Sequence, residues 1–129
     1  MISRTLTITI DSPAARVYDF IRNPGNMPRW ATTFCRSMKR VRGAWIIGTT
    51  QGPLKLRIAQ KNRYGILDHY ISQAGAAEVF VPLRVVPNGT GSEVIFTLFQ
   101  RPGMTGKDFI KDAGLVRKDL RSLKRVLER

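Results

Sequence analysis

The chain is poor in the residues from which most reaction centres are built. It has one cysteine, Cys35, and one histidine, His69, among 129 residues. A single thiol excludes an internal disulfide and a cysteine-rich metal site, and a single imidazole excludes a histidine cluster. No metal and no cofactor is expected. Acidic side chains are also scarce, 9 Asp and Glu against 22 Lys and Arg, for a net charge of +13. No stretch approaches the roughly 20 apolar residues of a membrane span. The N-terminus, with Arg4 among alternating threonines, lacks the apolar block of a signal peptide, so the chain reads as cytoplasmic. Thr105-Gly106-Lys107 lacks the upstream glycine spacing of a phosphate loop, which leaves nucleotide hydrolysis unsupported.

What is present is a globule's worth of apolar residues, 43% of the chain, enough for one domain over residues 1–129 with a real core. Phe109, Ala113, Val116, Leu120, Leu123 and Leu127 recur at steps of three and four and predict a long helix over 105–129. At about 1.5 Å per residue it is roughly 35 Å long. Thr105 and Asp108 have the spacing of a capping box. At the other end, residues 5–10 alternate Leu6, Ile8 and Ile10 with threonines, the period of a half-buried strand. Asp11-Ser12-Pro13 then offers an N-cap with Pro at the first helical position, ahead of the stripe Ala14, Val17, Phe20 and Ile21. A second short helical stretch over 27–34 carries Trp30 and Phe34. Six strands follow, over 36–41, 45–51, 54–61, 66–72, 78–86 and 93–100, with connections short enough for antiparallel hairpins.

This order and its local sequences resemble the helix-grip superfamily called START-like or SRPBCC, and within it the polyketide cyclase/dehydrase-like proteins. The resemblance lies in residues 8–13 leading into Val17, Phe20 and Ile21, in Asn26-Met27-Pro28-Arg29-Trp30, in the hairpin from Val81 to Phe99, and in Asp119-Leu120 and Leu123-Lys124 of the last helix. It implies an α+β fold in which a curved, seven-stranded antiparallel sheet wraps the long C-terminal helix, with two short helices after the first strand. It also implies a cavity between sheet and helix of the kind that holds lipids, polyketides, quinones or hormones.

Alternation puts His69 on one face with Leu67 and Ile71, and Asp68 with Tyr70 on the other. If the Leu67 face is the inner one, His69 either orients a ligand or acts as acid or base, with Tyr70 or Glu78 as helper, or is a buried histidine bonded to a polar neighbour. Adjacent Asp68 is no obvious partner. Glu78 and Arg84 share one parity of their strand and are either polar groups of the cavity or outer-face residues engaged with neighbours such as Glu93. Trp30, Phe34, Trp45, Phe96 and Phe109 are bulky candidates for a lining, and Ala113 with Gly114 lowers the bulk of the last helix near Phe109. Cys35, beside Arg36, reads as a plain thiol.

Three functions fit these residues. The first is binding of a hydrophobic small molecule in the cavity. The second is a cyclase, dehydrase or isomerase using His69 in the same cavity. The third is a polyanion-binding surface made by Arg117, Lys118, Arg121 and Lys124, its partner RNA, the ribosome or an anionic membrane, although such a basic face is also what an ordinary solvated surface looks like.

Overall fold

A computed structural model describes residues 1–129. Strand β1 (Ser3–Ile10) follows its alternation, with Leu6 and Ile10 buried and the threonines exposed. Helix α1 (Ala14–Arg22) starts one residue later than the Pro13 signal implies, with Pro13 itself in the cap position. The Ser12 hydroxyl does not cap it and instead accepts a hydrogen bond from Arg16 Nη1 at 2.9 Å. A single 3-10 turn (Pro24–Asn26) leads into α2 (Met27–Trp30), shorter than the stretch predicted over 27–34. Pro28 sits in its first turn, where a missing N–H costs nothing.

The strands that follow are β2 (Ser37–Val41), β3 (Ala44–Thr49), β4 (Gly52–Ile58), β5 (His69–Ser72), β6 (Val79–Val81), β7 (Leu83–Asn88) and β8 (Gly91–Phe99). All pair antiparallel. The expected single seven-stranded sheet is instead two sheets with eight strands in all, in the orders β1-β8-β7 and β2-β3-β4-β5-β6. The strand predicted over 78–86 is divided at Pro82. Proline has no N–H to give to a ladder, so the chain changes partner there, from β5 before it to β8 after it. Pro82 still accepts a hydrogen bond at its carbonyl from Thr97 N, 3.0 Å. The strand predicted over 66–72 is shortened too, because Ile66 and Leu67 bridge to β7 rather than to β6.

The two sheets share one inner face. Cross-strand register aligns Trp45, Leu56, Ile71 and Val79 in one row and Ile58, His69 and Val81 in the next. Beyond the crease, Leu6, Phe96 and Leu83 form a row, as do Ile8, Val94 and Val85. Helix α3 (Gly106–Leu127) lies over this face with Phe109, Ala113, Leu120, Leu123 and Leu127 buried. Its start is fixed by Thr105, whose hydroxyl accepts from Asp108 N at 3.0 Å. Its other end is clamped to the β1–α1 turn, where Glu128 accepts from Asp11 N at 2.8 Å and Arg16 donates to the Leu127 carbonyl. Leu120, Leu123 and Leu127 belong to one continuous core with Leu6, Ile10, Val17, Ile21 and Trp30. Each fully buried side chain of that kind contributes about 1.5–3 kcal/mol, so this half of α3 anchors the fold.

Candidate functional site

The two halves of α3 are buried differently. Phe109 and Ala113 are covered, yet neither joins the continuous core that holds the C-terminal half. The backbone of α3 comes closest to β1 and α2, away from the five-stranded sheet. On the inner face across from it, Trp45, Leu54, Ile71, Phe96 and Leu98 remain only half-buried, as does Val116 on the helix. An apolar strip with accessible surface therefore runs between β3–β5, β8 and the N-terminal half of α3. Its side chains are there because inner-face positions fall at every second residue of each strand.

His69 stands on this face and is 6% exposed. Its Nδ1 lies 3.1 Å from the Leu67 carbonyl oxygen, which can only accept, so Nδ1 carries the proton and Nε2 presents a lone pair. Phe96 meets the ring edge-on at 6.4 Å between centroids. Burial pushes the His69 pKa down, against weaker opposing effects from the Leu67 carbonyl and the Asp68 charge, and keeps the imidazole neutral. Nε2 has no hydrogen-bond partner in the protein, and the one fully enclosed side-chain polar atom without a partner is Ser92 Oγ. The imidazole is thus a single neutral acceptor within an apolar wall.

The other candidates are distributed over both faces. Tyr70 is on the opposite face from His69, where the Arg57 guanidinium lies 4.2 Å from its ring centroid and Phe80 packs at 5.1 Å. Glu78 and Arg84 occupy that outer face as well. Glu78 pairs with Arg57 at 3.0 Å, and Arg84 pairs with Asp68 at 2.9 Å. Burial raises the Asp68 pKa, but hydrogen bonds from Arg84 and Leu83 N and the Arg84 charge bring the net result below the ordinary value. None of the three points toward the strip around His69. Trp30 lies in the core beneath α2, and Phe34 is exposed at 37% on the loop after it. Of the eight residues expected to line a cavity, Trp45 and Phe96 lie half-buried on the inner face of the sheet, and Phe109 and Ala113 are buried on the inward side of α3. Gly114 does not join them, because it is exposed and a Cβ on it would meet nothing within 4 Å.

Two residues escaped sequence reasoning. Arg40 pairs with Trp45 across β2 and β3 and lies 5.1 Å from its ring centroid, placing a cation at the rim of the strip. The alternation of residues 36–41 carried that signal, since it gives Arg40 the parity of Met38. Asp119 is 6% exposed and accepts from Thr33 N at 3.0 Å and from the Thr33 hydroxyl at 2.8 Å, tying the α2 loop to α3. Burial raises its pKa, opposed by both Thr33 hydrogen bonds. Its partner is 86 residues away in the chain, a distance no local pattern reports. Two surface hollows lie elsewhere. One, of about 400 Å³, is bordered by Met1, Ile2 and residues 100–104. The other, of about 340 Å³, lies between α1, residues 61–65 and β7. Neither includes His69. No group of three or more His, Cys, Asp or Glu side chains is placed to hold a metal ion, and no helix is long and apolar enough to cross a membrane.

No curated protein matches the chain in sequence. Among solved structures, the protein XoxI from Bacillus cereus aligns with a TM-score of 0.78 at 15% identity, covering 98% of this chain and 96% of that one. A START superfamily protein from Mycobacterium smegmatis aligns at 0.75 and 13%, covering 98% and 97%. The di-domain ARO/CYC protein BexL of the BE-7585A biosynthetic pathway aligns at 0.76 and 20%, covering 97% of this chain and 46% of that one. At these identities the likeness establishes the START-like fold. Residues 1–128 match a single family model, and the chain accordingly belongs to the family described as polyketide cyclase/dehydrase and lipid transport.

Proposed function

We propose that the protein binds a hydrophobic small molecule between the N-terminal half of α3 and the inner face of the sheet. The observation that carries this reading is the strip of half-buried Trp45, Leu54, Ile71, Phe96 and Leu98 beneath a stretch of helix whose Phe109 and Ala113 stand apart from the main core. A ligand laid there covers apolar surface that the chain leaves accessible, at about 25 cal/mol per Å². His69 Nε2 supplies one acceptor for a ligand hydroxyl, and Arg40 stands at the rim for a carbonyl or carboxylate. The family described as polyketide cyclase/dehydrase and lipid transport, and the ARO/CYC neighbour, agree with an apolar, oxygen-bearing ligand.

The test compares the intact mass of the purified protein under native and denaturing conditions, followed by titration with an apolar fluorescent dye. A co-purifying mass or saturable dye binding is expected. Trp45→Ala and Phe96→Ala are each expected to weaken binding about tenfold, the loss of one aromatic contact plus its area. Binding unchanged in both variants, or none at all, would refute the site.

A second reading, catalysis in the same strip, is favoured by the fixed His69 tautomer. A neutral Nε2 lone pair is a proton acceptor, so His69 would serve as general base in a cyclisation or dehydration. With Tyr70 and Asp68 directed to the other face, it acts without a side-chain acid beside it. His69→Gln that retained turnover of an identified substrate would remove this role.

A further inference from the structure

The outward side of α3 is a row of cations. Lys107, Lys111, Lys118, Arg121 and Arg125 are all exposed and recur at helical spacing opposite the buried stripe. None is in an ion pair. Lys124, by contrast, is occupied, bonded to Glu128 at 2.6 Å and to the Thr9 carbonyl at 2.8 Å. The acids of the C-terminal half are likewise out of play on this face, since Asp119 is buried against Thr33 and Glu128 is bound to Lys124 and Asp11 N. From Lys107 to Arg125 the row runs about 27 Å along a single helix.

From this row we infer that α3 docks flat on an anionic lipid bilayer through its outward face. Three features favour lipid over nucleic acid. The row also carries Ile110, 67% exposed, which can enter the interfacial zone while its cationic neighbours meet headgroup phosphates. Gly114 leaves the middle of the face without a side chain, so a planar surface can approach closely. The face has no aromatic to stack on bases, because Phe109, the only aromatic of α3, is turned into the protein. The docking is independent of the ligand reading, since it uses the opposite side of the helix.

The experiment is co-sedimentation of the full chain with vesicles of phosphatidylcholine alone and of phosphatidylcholine mixed with phosphatidylserine. Binding is expected only to the anionic vesicles and is expected to fall as salt is raised. The triple variant Lys118→Glu, Arg121→Glu, Arg125→Glu is expected to bind about 100-fold more weakly, from about fivefold per cation near the surface. Lys39→Glu, Lys61→Glu, Arg63→Glu makes the same change in net charge away from α3 and is expected to keep most of the binding. Circular dichroism checks that both variants are folded. Absence of binding to anionic vesicles, or equal losses in the two triple variants, would overturn the inference. So would a single-stranded RNA oligonucleotide that displaces the protein from the vesicles at physiological salt.

Discussion

His69 shows how one residue reports its surroundings. Burial lowers its pKa, so the folded protein holds it neutral while the unfolded chain binds a proton near the ordinary value of about 6.5. In the window below that value the unfolded state carries more protons, so stability is full above about pH 6.5 and declines as pH falls. Asp68 and Glu78, whose pKa values are lowered by their arginine partners despite the opposing effect of burial, lose their contribution only in the more acidic carboxylate range. Asp119 has the opposite sign, because its raised pKa favours the folded state as pH falls. The melting temperature is therefore expected to drop from pH 7 to pH 5, and His69→Leu is expected to flatten that drop. A drop of equal size in the variant would show that His69 is not its source.

At the scale of elements, two glycines make opposite predictions. Gly65 has φ of +74° where the loop meets β7, and a Cβ there would collide with the Val85 carbonyl oxygen. Gly65→Ala is expected to destabilise by about 2 kcal/mol or more, from left-handed strain together with the collision. Gly114 is helical, exposed and free of neighbours, so Gly114→Ala is expected to stabilise by about 0.5–1 kcal/mol. Chemical denaturation of the two variants measures both. The elements themselves were largely legible, because α3 and β1 bury apolar residues at their own periods of 3.6 and 2. The division at Pro82 was not. The proline stood in plain sight within 78–86, but a missing N–H breaks a strand only where a partner would have needed it, and the partners are chosen by the whole sheet.

At the scale of the molecule, α3 is tied down unevenly. Its C-terminal end is held by Arg16, Asp11 N and the continuous core, and its middle by Asp119 and Thr33, whereas Phe109 and Ala113 lie outside that core. Local opening is easiest where fewest buried contacts must break. Amide hydrogen exchange is expected to be faster over residues 110–115 than over 120–127, and equal protection along the helix would contradict this. Such local opening would free Phe109 and Ala113 without unfolding the anchored C-terminal half.

Residue order by itself determined the α+β class, the apolar stripe of α3 and the shared face of His69 and Ile71, because each follows from local periodicity and short hairpin connections. Only the tertiary structure decided that Tyr70, Glu78 and Arg84 belong to the outer face, that Arg40 joins Trp45, and that Asp119 holds Thr33. Those contacts join residues distant in the chain, and alternation states which residues share a face without stating which face the helix will cover.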